Sequence, residues 1–177
     1  MHPQIRLWFS GLKVLFPTYF ENKKVLEVGS YDCNGSLRSE FSNCEYTGID
    51  VAPGNGVDKV SVCHQYEADP GSFDVVFSTS ALEHDMFFPL TLMKMHELTK
   101  VGGLLFFQAD SEWGIHGTKD VHPNTSLTSG MDNNWSEYYR NIKPQDITAV
   151  WNLNMMFSPW RLEYFHGLDL NFFGIKK

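Results

Sequence analysis

Two residues 21 positions apart, Gly29 and Asp50, have the types and spacing of a nucleoside site. Val25-Leu26-Glu27-Val28 is a short apolar run that feeds the turn Gly29-Ser30-Tyr31-Asp32-Cys33-Asn34-Gly35. A second run, Tyr46-Thr47-Gly48-Ile49, is closed by the acid Asp50. In an α/β unit this layout sets a turn backbone beside one end of a nucleoside and a carboxylate beside its ribose hydroxyls. A dinucleotide site carries Gly-x-Gly-x-x-Gly, because its second glycine lets the backbone approach a pyrophosphate. Tyr31 stands at that second-glycine position. Its ring would obstruct a diphosphate and leave room for a nucleoside without one, of which S-adenosylmethionine is the commonest.

Groups for acid–base work are sparse and include three histidines. His84 follows an apolar run, whereas His116 and His122 fall in a long irregular stretch, where each reads either as a solvated loop histidine or as a group facing a second ligand. Trp113, Trp135, Tyr138, Tyr139 and Arg140, in the same stretch, can wall a pocket for a sugar or an aromatic ring. Among them Tyr139-Arg140 suits a polar or anionic acceptor, a ring beside a fixed cation. Asp132-Asn133-Asn134 reads as a solvated loop, with no pairing that makes a magnesium site. No metal is expected. The odd set Cys33, Cys44 and Cys63 lacks a C-x-x-C pair, which implies reduced thiols and a cytoplasmic setting.

These groups need a frame. The 177 residues fit a single domain, and 42% hydrophobic with 15% aromatic content suits a packed core. A net charge of −7 opposes a nucleic-acid-binding face, and no apolar run reaches the length of a membrane span. Residues 1–22 read as an N-terminal helix, with Ile5, Trp8, Phe9, Leu12 and Phe16 at helical spacing. Strands follow at Val25–Val28, Tyr46–Asp50, Lys59–Val62, Phe73–Ser78 and Leu104–Ala109, with a brief helix at Ser36–Phe41. A helix at Phe88–Lys100 ends at Gly102-Gly103, which open the next strand. Residues 110–143 form a long loop or lid. A helix at Pro144–Leu153 and strands at Met155–Pro159 and Leu170–Ile175 close the chain. Continuous apolar runs separated by helices indicate a mostly parallel sheet covered on both faces.

Four blocks in this order carry a resemblance: Val25-Leu26-Glu27-Val28-Gly29-Ser30; Gly48-Ile49-Asp50-Val51; Phe73 to Ser78 with Ala81-Leu82-Glu83-His84; and Leu98-Thr99-Lys100-Val101-Gly102-Gly103-Leu104. The chain resembles the class I S-adenosylmethionine-dependent methyltransferases, and most of all small members of the methyltransferase type 11 kind. The resemblance implies an α/β Rossmann-like fold with a seven-stranded sheet, order 3-2-1-4-5-7-6, its last strand antiparallel. It assigns Glu27, Gly29, Ser30, Tyr31 and Gly35 to the turn facing the cofactor's methionine part, Asp50 to its ribose and Val51 to its adenine. Ser78 falls beside the amino-acid moiety, and His84 near the methyl end. The turn departs from the compact family form, because Gly35 lies six residues beyond Gly29. Val62 stands where many relatives carry an acid that reads the adenine amino group, which leaves the backbone of Cys63 or the side chain of His64 for that contact. No Asn/Asp-Pro-Pro-Tyr motif follows the fourth strand, which removes the usual signature of DNA amino methylation.

The expected activity is methyl transfer to a small-molecule or glycan acceptor, at oxygen, with His84 and His116 as catalytic bases and Trp113, Tyr139 and Arg140 binding the acceptor. Neither a nucleic-acid nor a membrane partner is expected, and the oligomeric state is left open. Two other readings share the motif. One is a catalytically silent domain that binds a nucleoside or a partner protein; the other is a nicotinamide-dependent oxidoreductase, opposed by Tyr31.

Overall fold

The computed structural model describes residues 3–132 and 134–177; Asn133 of the expected polar loop lies outside them. Helix α1 (Pro3–Leu15) precedes β1 (Lys24–Val28), β2 (Glu45–Asp50), β3 (Lys59–Val60) and β4 (Phe73–Thr79). Helix α2 (Phe88–Leu98) leads into β5 (Thr99–Asp110), followed by α3 (Pro144–Val150), α4 (Leu153–Met156), β6 (Phe157–Phe165) and β7 (Asp169–Lys176). The seven strands form one sheet in the order β3-β2-β1-β4-β5-β7-β6. β1 to β5 pair in parallel, and β7 runs antiparallel to both β5 and β6. Order and directions agree with the sequence-based expectation.

Strand alternation divides the core between the two faces. Val25, Val75, Phe77, Leu104 and Phe106 point to one face, beneath Trp8, Phe9 and Leu12 of α1. Leu26, Val76, Leu105, Phe107 and Phe172 point to the other, beneath Leu92, Met95 and Leu98 of α2 and Ile147 of α3. Each such side chain, fully buried, contributes about 1.5–3 kcal/mol. Phe77 stacks on Phe106 at 4.7 Å between ring centroids, so β4 and β5 are also locked by their side chains.

Several element boundaries differ from expectation for identifiable reasons. The N-terminal helix stops at Leu15 and gives way to a 3₁₀ turn at Pro17–Tyr19, because Pro17 lacks the N–H that would continue it. Ser36–Phe41 yields only a 3₁₀ turn, Arg38–Glu40, since six residues cannot offset the cost of nucleating an α-helix. Helix α2 ends at Leu98, not at the glycine pair. Thr99 is extended, its hydroxyl donates to Met95 O at 2.7 Å, and Lys176 of β7 donates to His96 O at 2.7 Å and Thr99 O at 2.8 Å. The last turn is thereby closed early, and Gly102-Gly103 fall within β5. There three residues of β4, Phe73 to Val75, face six of β5, Thr99 to Leu104, and Gly102 sits in the left-handed region at φ +76°. The helix expected to reach Leu153 ends at Val150, and α4 starts anew where the Asn152 side chain accepts from Met155 N. β6 therefore begins at Phe157 and runs on through Phe165 to a turn carrying His166 and Gly167 at positive φ.

No helix among the described residues is long and apolar enough to cross a membrane. The three cysteines are free thiols.

Candidate nucleoside and acceptor site

The strand order reverses between β1 and β4, and open α/β sheets hold ligands at the carboxyl ends of strands flanking such a point. A cavity of about 500 Å³ lies there, lined from the turn after β1, the ends of β2 and β4, the segment after β3 and the 110–143 loop. Ile5 of α1 contributes as well.

At the first turn Gly29 has φ +76°, and a Cβ there would lie 2.1 Å from the Cβ of Ala81. Glycine is required by both the conformation and the close approach of the loop after β4. The N–H groups of Gly29 and Ser30 both donate to Ile49 O, at 2.9 and 3.1 Å. Ser30 and Ser78 line the cavity with buried hydroxyls that have no hydrogen-bond partner. The Tyr31 ring packs against Gly54, where a Cβ would stand 2.7 Å from ring carbon Cδ2. Gly35, at φ +115°, closes the turn by donating its N–H to Asp32 Oδ1.

Two carboxylates of this half are held in place. Asp50 Oδ2 accepts from Tyr31 N at 3.0 Å and Oδ1 from Val51 N at 2.8 Å. Each oxygen keeps one lone pair, which is the requirement for gripping two vicinal hydroxyls. Burial raises Asp50 to about 6, and its two N–H donors oppose the rise. Glu27 accepts from the Tyr46 hydroxyl at 2.7 Å. Burial lifts it to about 7, against the pull of that hydroxyl and of the Arg38 charge, with Asp50 and Asp32 adding to the lift. Val51 lines the cavity beside Asp50, but His64 does not line it. Its ring lies 4.9 Å from Phe87, so the expectation that His64 reaches the cavity is corrected: Val62 and Cys63 line it there instead.

The other half is assembled by the 110–143 loop, which contains 3₁₀ turns at Pro123–Thr125, Leu127–Gly130 and Asn134–Glu137. Backbone and side-chain bonds pin it to the 3₁₀ turn Leu82–His84: Trp135 Nε1 donates to His84 O at 2.7 Å and Arg140 N to Glu83 O at 2.9 Å. Trp113, His116, His122 and Trp135 line the cavity. Trp113 Nε1 donates to Asp169 Oδ1 at 2.7 Å.

His84 lines the cavity, and its Nδ1 has no partner. Burial, then the neighbouring His116 charge, depresses it to about 3, so its imidazole is neutral throughout the neutral range. A Cβ on Gly117 would stand 2.4 Å from His84 Cε1, so this glycine lets the loop close over the ring. His116 is differently placed. Its Nδ1 lies 3.0 Å from Gly114 O and its Nε2 3.4 Å from Asp110 Oδ2. Both neighbours are acceptors, so a neutral ring donates to only one of them.

Two acceptor-binding expectations are corrected. Tyr139 does not line the cavity; it sits behind the histidines, 5.5 Å from the His84 ring and 5.0 Å from that of His116, and its hydroxyl donates to Asp110 Oδ2 at 3.0 Å. Arg140 pairs with Asp146 and lies 5.4 Å over the Phe88 ring, away from the cavity. Sequence reasoning missed three acids. Asp110, at the carboxyl end of β5, joins the cavity wall and could have been found by that strand-end position. Asp85, next to His84, also lines the cavity. Glu83 is fully buried; burial, then the charges of Asp110 and Asp169, push it well above the usual carboxylate range, against the backbone N–H groups of Glu83 and Asp110. No group of acids, histidines and cysteines among the described residues is arranged to hold a metal ion.

No protein-family model matches the chain, and no curated protein matches it in sequence. Solved structures do. A Burkholderia thailandensis 1,6-didemethyltoxoflavin-N1-methyltransferase with bound 1,6-didemethyltoxoflavin and S-adenosylhomocysteine is similar at TM-score 0.66 and 11% identity, over 99% of this chain and 79% of that one. An S-adenosylmethionine-dependent methyltransferase from Archaeoglobus fulgidus is similar at TM-score 0.63 and 14% identity, over 97% and 94%. A Haemonchus contortus phosphoethanolamine N-methyltransferase 2, in complex with phosphomonomethylethanolamine and S-adenosylhomocysteine, gives TM-score 0.59 and 19% identity. That match covers 88% of this chain, which spans only 38% of the length of the Haemonchus protein. The chain has the fold of the class I S-adenosylmethionine-dependent methyltransferases.

Proposed function

We propose that the chain is an S-adenosylmethionine-dependent methyltransferase whose acceptor is a small neutral molecule or glycan, methylated at oxygen. The observation that carries this reading is Asp50. Two backbone N–H groups fix its carboxylate at the mouth of a strand-end cavity and leave one lone pair on each oxygen for a ribose. The antiparallel β7 further separates this sheet from the all-parallel doubly wound dinucleotide fold, which disfavours a nicotinamide reaction. The residues fit the cofactor: Asp50 receives its ribose, Glu27 is a buried carboxyl available to its ammonium, and the Gly29 turn abuts Ala81 beneath it.

When bound, the cofactor supplies an electrophilic methyl group on a sulfonium. The protein's part is alignment and exclusion of water, and such positioning supplies about 7–11 kcal/mol in favourable cases. Methylating a hydroxyl also requires a proton acceptor. His84 takes that role by position, its Nδ1 unpartnered at the cavity wall; burial makes it a weak base, so it takes the proton as the hydroxyl oxygen gives its electron pair to the methyl group and becomes strongly acidic. His116, held between Gly114 O and Asp110, lines the same region and orients the acceptor hydroxyl. Trp113 offers a flat apolar face suited to a sugar ring. Glu27, Asp50, Asp85 and Asp110 line the cavity, and no Lys or Arg does so among the described residues, which favours an uncharged acceptor over a phosphorylated or carboxylated one.

Isothermal titration of the purified chain with S-adenosylmethionine, S-adenosylhomocysteine and NAD tests the reading. Binding of the first two, lost in Asp50→Ala, is expected. Binding of NAD alone, or of none of them, overturns it. A chain that binds the cofactor but transfers no methyl group to any of a panel of neutral hydroxyl acceptors is instead the silent nucleoside-binding domain.

A further inference from the structure

We propose that Tyr46 and Arg38 are positioning residues for Glu27, holding its carboxylate ready for the ammonium of the ligand's amino-acid end; the inference rests on the cofactor assignment above. Neither residue lines the cavity, whereas Glu27 does, and Glu27 is only 3% exposed. The pairing of β1 with β2 sets Glu27 opposite Gly48 and Val25 opposite Tyr46, so all four stand on the sheet face that α1 covers. Gly48 offers Glu27 no side chain, because a Cβ there would meet Gly56 O at 2.7 Å. Tyr46, one pair back on that face, reaches across instead, and its hydroxyl donates to Glu27 Oε2 at 2.7 Å. The Tyr46 ring is itself clamped. Phe41 and Phe77 meet it edge-on, at 5.5 and 6.3 Å between centroids, and the Arg38 guanidinium lies 4.5 Å over it. Arg38 is fixed in turn by Asp58, to which both its terminal nitrogens donate, and by Gly56 O at 3.1 Å. Asp58 also accepts from Gly48 N at 2.7 Å, which ties the whole set back to β2.

A carboxyl withdrawn from water favours its neutral form, which makes a poor partner for an ammonium. A hydrogen bond donated to the charged form, or a nearby cation, works against that. The Tyr46 hydroxyl and the Arg38 charge do so at Glu27, whereas Asp50 of β2 and Asp32 of the first turn oppose them. β4 sets Phe77 opposite Glu27 and brings no charge, and Arg6 and Lys13 of α1 are paired with Glu40. Burial, then the Glu27 charge, hold the Tyr46 phenol well above its ordinary range, so it stays a donor. The hydroxyl and the guanidinium therefore keep this buried carboxyl usable at neutral pH, although neither touches the ligand.

The test is calorimetric and needs no acceptor. It compares S-adenosylhomocysteine with 5′-methylthioadenosine, which has the same ribose and base but lacks the amino-acid end. The ratio of their affinities cancels the titration of Asp50, which meets the ribose of both. In the native chain this ratio is expected to rise between pH 6 and pH 8. In Tyr46→Phe, which keeps the ring, the rise is expected about one pH unit higher, the scale of one hydrogen bond to a charged group. At pH 7 that reads as about a fivefold loss for S-adenosylhomocysteine and none for 5′-methylthioadenosine. Arg38→Gln is expected to move the rise the same way by less. In Glu27→Gln the ratio is expected to be flat with pH, and adding Tyr46→Phe to that variant should change it less than about twofold, because the hydroxyl acts through the carboxylate. An unshifted rise in Tyr46→Phe, an equal loss for both ligands, or a further loss in the double variant overturns the inference and leaves the cofactor assignment standing. So does a ratio that is flat with pH in the native chain. If Tyr46→Phe fails to fold by its thermal melt, an unshifted rise in Arg38→Gln overturns the inference in its place. A native chain that binds neither ligand removes the cofactor assignment itself, and this inference with it.

Discussion

The two halves of the cavity are built in different ways. The half proposed for the nucleoside rests on backbone: the turn after β1 and the end of β2, with Asp50 held by N–H groups from Tyr31 and Val51. Its parts lie within about one βαβ unit of chain. The half proposed for the acceptor is assembled from side chains distant in sequence, His84 after β4, Asp110 at the end of β5 and His116 in the long loop. The first is a property of a local motif, the second of long-range packing. Substitutions in the first half should therefore abolish ligand binding, whereas those in the second should slow chemistry and leave cofactor binding intact.

The largest expected effect separates the halves directly. Asp50→Ala removes both ribose acceptors and should weaken S-adenosylhomocysteine binding by at least about 100-fold in calorimetry. A smaller loss would break the assignment of the nucleoside half. His84→Ala should lower kcat on a hydroxyl acceptor by about 10²–10⁴ while changing cofactor affinity less than threefold, about the range for loss of a general base. Parallel loss of cofactor affinity would erase the boundary between the halves.

Gly29→Ala should be costly to folding as well as binding, because its Cβ would meet that of Ala81 at 2.1 Å and its φ is +76°. A destabilisation of about 2–4 kcal/mol in chemical denaturation is expected from overpacking and left-handed strain together. Glu27 gives a milder, pH-dependent signature. Its folded-state value near 7 lies above the unfolded one, so the native state holds an extra proton between about pH 4.5 and 7. The Glu27 contribution to stability is therefore fully present below pH 4.5 and is lost as pH rises through 7. Cofactor affinity should move the opposite way, rising about tenfold from pH 6 to pH 8 as the carboxylate ionises to meet the ammonium. Glu27→Gln should flatten that profile. The smallest effect belongs to Arg140→Ala, whose surface pair with Asp146 is expected to be worth under about 1 kcal/mol and whose loss should leave the acceptor KM unchanged.

The strand order, and the place of Gly29 and Asp50 at the strand-end cavity, were legible in the sequence for a shared reason. Runs such as Val25–Val28 and Phe73–Ser78 must be buried on both faces, and a turn that admits only glycine at position 29 announces itself. The acceptor half was legible only in part. His84, His116 and Trp113 reach the cavity as expected, but Tyr139 and Arg140 do not. Their neighbours dictate this: Tyr139 is drawn back by Asp110 and Asn141, and Arg140 outward by Asp146. Asp110 lies 29 residues from Tyr139, and Asp146 belongs to α3, so periodicity carries no trace of these pairings. Glu83 illustrates the limit, since nothing in Leu82-Glu83-His84 marks a carboxyl sealed beside two other acids.

One short turn has a consequence for the order of events. His84 and Asp85 are consecutive and both line the cavity, His84 held through its carbonyl by Trp135 of the long loop and Asp85 through its carboxylate by Thr91 of α2. The peptide that carries His84 is thereby tied to both the 110–143 loop and α2, so on the proposed function a nucleoside that fills the cavity would order this peptide for the acceptor as well. By linkage that preparation is mutual, and the acceptor should bind more tightly to the nucleoside-loaded chain than to the empty one.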